Sequence, residues 1–219
     1  MSEHPMPPTL TDPLAHLMEL LGAHPQQRMI IGIAGPPGAG KSTLARQLVD
    51  AVSAQMPDVY ATVLGMDGFH LSKAQLRQMP DPELAFARRG AHWTFDAAGF
   101  IHALQRIRTG QRTTWPDFAH DVGDPVPDAI TVPPQARLII VEGLYLLHEG
   151  DGWGVAKSLF DECWYLNTPM EVAMERLVRR HMQAWGFTRA QAQHRIDSSD
   201  GHNATLVAAS ATHADWYIT

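Results

Sequence analysis

The 219-residue chain is expected to fold as an α/β protein, a parallel sheet with helices on both faces. Three observations predict this. Short apolar runs at 28–34, 59–64, 138–141 and 163–166 alternate with stretches whose apolar residues recur at helical spacing, the pattern of βαβ units. The first run passes directly into a glycine-rich turn and then a helix. The second and third runs end on acidic residues, Asp67 and Glu142, at the strand ends where open α/β sheets bind ligands.

The elements follow in order. Thr11-Asp12-Pro13 offers a helix cap with proline in the first turn, and Leu14, Leu17, Met18 and Leu21 then recur at helical spacing until Gly22, which is expected to end the helix. Residues 28–34 are almost continuously apolar, as suits a strand buried on both faces. A helix over about 41–55 carries Leu44, Leu48, Val49 and Val52 on one face. The strand at 59–64 ends at Gly65-Met66-Asp67, and a helix is plausible from Leu71 onward. Residues 96–108 read as a helix and 115–128, rich in Pro and Asp, as irregular. The strands at 138–141 and 163–166 end at Glu142-Gly143 and before Pro169; a helix at 171–181 and a short strand at 215–218 complete the pattern. The expected organisation is a tail and helix at 1–27, then one domain at 28–219. Within that domain, 68–136 form an inserted cap for an acceptor and 170–200 a helical lid.

Composition narrows the function. With 45% hydrophobic and 18% charged residues the chain is globular rather than disordered. Its single cysteine, Cys163, excludes an internal disulfide and a cysteine-based zinc site within one chain. A net charge of -6 argues against duplex nucleic acid as a partner. No apolar run approaches the ~18 residues of a membrane span, and no basic start leads into an apolar stretch as in a secretory signal. A cytoplasmic location is therefore expected, and a homodimer is left open. No spacing of His, Asp and Glu reads as a protein-only metal site. Of 17 basic residues only Lys41, Lys73 and Lys157 are lysines, so each invites a reason.

Lys41 has one. Gly35-Pro36-Pro37-Gly38-Ala39-Gly40-Lys41-Ser42, followed by Thr43, fits the phosphate-loop pattern G-x-x-x-x-G-K-[ST] between a strand and a helix. Glycines let successive backbone N–H groups curl around an anion, and the helix N-terminus favours negative charge. The Lys41 ammonium can reach the β- and γ-phosphates and the Ser42 hydroxyl can ligate Mg²⁺, so ATP and Mg²⁺ are the expected cofactors. Neither Asn167 nor Asn203 is followed by lysine, which removes the usual guanine-reading motif, and no Ser-Gly-Gly signature of a transport ATPase occurs. These absences favour a transferase acting on a small molecule.

Phosphoryl transfer to a hydroxyl needs a group to orient or deprotonate the nucleophile and cations to absorb charge. Asp67 is the candidate base, with a helix N-cap as its alternative role. Glu142 is the candidate Mg²⁺ ligand, with a strand-end turn as its alternative. Arg176, Arg179 and Arg180 lie at i, i+3 and i+4 of one helix and can clamp a triphosphate, or else form a solvated face paired with Glu171 and Glu175. Gly186 and the Arg189 region are the candidate hinge of a closing lid. The insert offers Arg88, Arg89, His92, Trp93, His120 and Asp121 to a polar acceptor.

Taken in order, Gly35–Thr43, Met66–Leu71, Arg88–Ala91 with Thr94–Asp96, Val141–Leu147, Arg176 with Arg180-His181, Ser199-Asp200 and Asn203-Ala204 form a set. In that set the chain resembles the phosphoribulokinase/uridine kinase-like group of P-loop kinases, near type I pantothenate kinases and fructose-transport-associated kinases. The resemblance implies a P-loop NTPase fold, Asp67 as base, Arg176 and Arg180 in the lid, and His70, Arg89, His120 and Asn203 as acceptor-binding residues. Phe118 stands where the pantothenate kinases usually have tyrosine. The expected activity is transfer of the ATP γ-phosphoryl group to a hydroxyl of a sugar or pantothenate-like compound. The alternatives are a nucleoside kinase and a catalytically silent ATP-binding regulator of a transporter or other partner.

Overall fold

The computed structural model describes residues 6–119 and 121–219. In chain order the elements are α1 (Pro13–Ala23), β1 (Met29–Ala34), α2 (Lys41–Gln55), β2 (Tyr60–Gly65), α3 (Lys73–Leu76), α4 (Pro82–Ala87) and α5 (Ala97–Arg108). They continue with β3 (Thr113–Ala119), β4 (Asp124–Val132), β5 (Ala136–Gly143), β6 (Glu162–Leu166), α6 (Met170–Trp185), α7 (Arg189–Arg195), α8 (Gly201–Ala209) and β7 (Trp216–Ile218). Five strands form one parallel sheet in the order β2-β5-β1-β6-β7. The chain thus runs outward from β1 to β2, returns to β5 beside β1, and crosses to the other side at β6.

Both faces of the sheet are covered. On β1, Ile31 and Ile33 face a cluster with Leu17 and Leu21 of α1 and Leu48 and Val52 of α2. Ile30 and Ala34 face the opposite cluster with Phe100, Trp115, Tyr145 and Trp153. All six β1 residues are buried, the consequence of a central parallel strand roofed on both sides. Arg28, just before β1, donates to the carbonyls of Ile107, Pro133, Pro134 and Ala136, so it ties the strand to the exit of the insertion.

Three local expectations change. Helix α1 continues through Gly22 to Ala23. A side chain at Gly22 would meet nothing within 4 Å, so the ~1 kcal/mol cost of a solvent-facing helical glycine is offset by burial of Leu17 and Leu21. The Pro- and Asp-rich stretch is not irregular. It forms the antiparallel ribbon β3–β4, whose register skips from Trp115↔Ile130 to Asp117↔Val126 and so leaves Pro116 out of the ladder. In a two-stranded ribbon every strand has an unpaired edge, where prolines without an N–H are tolerated. Finally, the segment read as an N-terminal tail contributes to the sheet: Leu10 N–H donates to the Tyr217 carbonyl (2.7 Å) and Tyr217 N–H to the Pro8 carbonyl (2.8 Å). Among the described residues no helix is long and apolar enough to cross a membrane.

Candidate active site

The sheet register assembles the site. Gly65 of β2 lies opposite Glu142 of β5, and Glu142 lies opposite Ile33 of β1, so the segments carrying Asp67, Glu142 and the phosphate loop leave the same edge side by side. A cleft of about 270 Å³ opens there, lined among others by Lys41, Ser42, Asp67, Glu142, Arg176 and Arg180. Asp67 sits in a single 3₁₀ turn, Met66–Phe69, directly after β2.

The loop's conformation follows from its glycines and its neighbour. Gly38 and Gly40 have φ of 80° and 102°, the left-handed region. A Cβ at Gly38 would lie 2.1 Å from the Ala173 carbonyl oxygen, so the loop packs against the backbone of α6. The Ala39 carbonyl accepts hydrogen bonds from the Arg176 guanidinium (3.1 Å) and the Thr168 hydroxyl (2.9 Å). Thr168 escaped the sequence reading; its signal is a Thr-Pro pair opening the arginine helix.

Lys41 is 8% exposed and its ammonium donates to the Pro36 carbonyl at 3.1 Å. Burial pushes its pKa down, while Glu142 and Asp67 pull it back up and Arg180 adds to the lowering. Glu142 moves the opposite way: burial raises its pKa, opposed by Lys41, reinforced by Asp67 and opposed again by the Ser42 hydrogen bond. The Ser42 hydroxyl donates to Glu142 Oε1 at 2.8 Å. A buried ammonium, two guanidinium groups, a left-handed glycine loop and an adjoining hydroxyl–carboxylate pair fit a polyphosphate carrying a hard divalent cation. Oxygen donors are what Mg²⁺ takes.

The arginine helix divides its side chains. Arg176 and Arg180 line the cleft. Arg179 is 71% exposed and pairs with Glu175 at 3.2 Å, so it belongs to the solvated face. Arg189 of α7 pairs with the same carboxylate at 2.7 Å, and the Arg189 hydrogen bond is the chief reason its pKa falls to about 2. Gly186 caps α6 with φ 66°. His181 of α6 pairs at 2.9 Å with Asp200, at the end of the π-helical turn Ile196–Asp200 that joins α7 to α8.

The residues expected to bind an acceptor are distributed unevenly. The His70 ring donates from Nδ1 to the Asp67 carbonyl at 2.8 Å and lies between the Phe95 and Phe118 rings, 4.0 and 4.7 Å away. Arg89 commits its guanidinium to the Gly123 and Leu71 carbonyls and to Asp124, holding the ribbon to the loop after Asp67. Asn203 is 3% exposed, and its amide nitrogen lies 3.6 Å from where a Cβ on Gly90 would stand. His120 lies outside the described residues. The Arg88 backbone bonds to Leu84 and Ala91, but its side-chain Nε is buried with no hydrogen-bond partner among the described residues. Tyr145, which donates to the Gly90 carbonyl at 2.6 Å, is within electrostatic reach of Arg88, Asp200 and Asp67.

The insertion is seated over Asp67 by two contacts. Trp115 Nε1 donates to the Gly65 carbonyl at 2.9 Å. The Pro116 carbonyl approaches Gly68 so closely that a Cβ there would be 2.1 Å from its oxygen. That explains glycine in Asp67-Gly68 with no appeal to φ.

A family model described as "Phosphoribulokinase / Uridine kinase family" matches residues 30–218. The chain is 45% identical over 146 residues to an "ATP-dependent kinase-like protein" of Aspergillus versicolor, spanning 64% of this chain and 84% of that one. It is 40% identical over 185 residues to a "Putative uridine kinase" of Schizosaccharomyces pombe, spanning 83% and 79%. Among solved structures it is similar to a "putative fructose transport system kinase" from Silicibacter sp. TM1040, with a TM-score of 0.83, 33% identity and coverage of 94% and 98%.

Proposed function

Because the chain belongs to the phosphoribulokinase/uridine kinase family of ATP-dependent P-loop kinases, we propose that it transfers the γ-phosphoryl group to a hydroxyl of a small metabolite, a sugar or pantothenate-like compound. The observation that carries this reading is the meeting of Lys41, the Ser42–Glu142 pair, Asp67, Arg176 and Arg180 in one cleft under an insertion. Asp67 takes the proton of the acceptor hydroxyl as its oxygen bonds to the γ-phosphorus and the bond to the bridging oxygen breaks, releasing ADP. Lys41, Arg176 and Arg180 hold the charge that develops on the phosphoryl oxygens. Ser42 and Glu142 would hold Mg²⁺, directly or through water, and the ion would supply charge neutralisation on the phosphates. The 170–200 segment acts as a lid hinged at Gly186 that keeps water from the transferred group.

Arg88, whose guanidinium Nε is buried with no hydrogen-bond partner among the described residues, supports an acceptor that carries an acid group. A nucleoside acceptor is the second reading, favoured by the 40% identical relative named as a uridine kinase and by the aromatic group His70, Phe95 and Phe118. An ADP-release screen over sugars, sugar acids, pantothenate and nucleosides distinguishes them; release with none of these favours an ATP-binding regulator. Asp67→Asn, assayed with the acceptor so found, should lower kcat by at least ~10²-fold while leaving ATP affinity nearly intact. Near-normal turnover would remove Asp67 from the role of base.

A further inference from the structure

Among the described residues the kinase chemistry leaves one group of ligating side chains unused. His92 opens the turn at His92–Thr94, before α5; His148 follows the Tyr145–Leu147 segment after β5; Asp151 lies three residues further on. One ligand atom from each falls within 4.8 Å of the others. His92 Nε2 is 2.6 Å from Asp151 Oδ2, and His148 Nε2 is 3.7 Å from the same oxygen. That His148 nitrogen is buried and makes no hydrogen bond among the described residues.

The surroundings are shaped to hold these atoms. Asp151 has φ 52°, a left-handed conformation that Asp tolerates better than most non-glycine residues. Gly150 wraps the His148 ring so closely that a Cβ would stand 3.0 Å from Nε2. The fully buried Trp153 donates to the His92 carbonyl at 3.4 Å, supporting the ligand from behind. The Asp151 side chain is 60% exposed, so the cluster is open on that side.

We propose that His92, His148 and Asp151 bind one transition-metal ion of the zinc type, with water completing a four-coordinate shell. Two imidazole nitrogens and one carboxylate oxygen suit Zn²⁺, Co²⁺ or Ni²⁺, whereas Mg²⁺ prefers oxygen alone, so this site is chemically distinct from the Ser42–Glu142 pair. Its position gives it a consequence. The ion bridges the insertion to the segment after β5, two residues beyond Gly90, whose carbonyl is already held by Tyr145. It therefore fastens the loop that carries Arg88 and Arg89 and leaves the phosphate loop alone.

The test is Co²⁺ titration of the full chain, stripped of metal by chelator and kept in excess Mg²⁺, followed by visible absorption and calorimetry. One equivalent should bind with the intense absorption of tetrahedral Co²⁺, and Zn²⁺ should displace it. His92→Ala and His148→Ala should each weaken binding by more than the ~10–100-fold that loss of an outer-shell partner costs. Asp151→Ala should do the same from an exposed side chain, which keeps the test decisive if His148→Ala does not fold. Lys41→Ala should bind Co²⁺ as the wild type does. Equal affinity in the wild type and the three ligand variants, as from histidines elsewhere on the surface, overturns the proposal, and so does an absence of binding. Neither result bears on the kinase reading, because the readout contains no turnover.

Discussion

Glu142 answers two demands that pull in opposite directions. Its carboxylate accepts from Ser42 and is suited to a cation, yet burial raises its pKa above the ordinary 4.5 even beside Lys41. A carboxyl with a raised folded pKa binds its proton more tightly in the folded state. Its contribution to stability is full below 4.5 and is lost as pH rises through the folded value. At pH 7, where Glu142 of the unfolded chain is ionised, the raised folded pKa therefore opposes folding. Glu142→Gln should melt above the wild type at pH 7, and the gap should close as pH falls to about 4, read by thermal unfolding across pH. A lower melting temperature at pH 7 would contradict the assignment. The same variant should lose turnover, since a neutral amide is a poor cation ligand. Single residues such as Lys41, Ser42 and Asp67 were legible because their chemistry is stated by local spelling. The glycine at 68 was legible only as a pattern, because its reason is the Pro116 carbonyl, which the chain brings back from 48 positions away.

Elements were legible in proportion to how far their periodicity is set by burial. β1 and α2 were readable almost to the residue, since β1 is buried throughout and α2 carries a clear apolar face. The β3–β4 ribbon was not, because its pairing depends on a surface outside itself: a two-stranded ribbon is marginal in water and gains stability from what it covers. Here the fully buried Trp115 packs 4.8 Å from the Phe69 ring and 5.5 Å from that of Phe100, with its N–H on the Gly65 carbonyl. Trp115→Phe leaves that carbonyl without its donor and a void beside it. The expected loss is ~2–4 kcal/mol in denaturant unfolding. Because Gly65 precedes Asp67 by two residues, kcat should fall more than the KM for ATP rises. Unchanged kinetics in a destabilised variant would show that the ribbon is a roof with no hand in placing Asp67. In α6, helical spacing put three arginines on one side; Glu175 then withdrew Arg179 toward solvent, which spacing alone does not distinguish.

For the molecule as a whole, the cleft gathers groups that repel or desolvate one another, and a charged ligand should relieve the strain of gathering them. ATP with Mg²⁺ at ~100 times its Kd adds ~2.7 kcal/mol of stability by mass action, or ~5–10 °C in melting temperature for a chain of this size. Lys41→Ala should remove most of that shift while the unliganded variant still unfolds cooperatively. A full shift in the variant would place the nucleotide elsewhere. The alternation of strands and helices, the phosphate loop and the acidic strand ends could be read from the linear chain, because burial periodicity and anion binding are written within a dozen residues. The sheet order, the seating of the insertion over Asp67 and the meeting of His92 with His148 could not. Each depends on which distant segments share the burial of one apolar face, and that is settled only when the whole chain has packed.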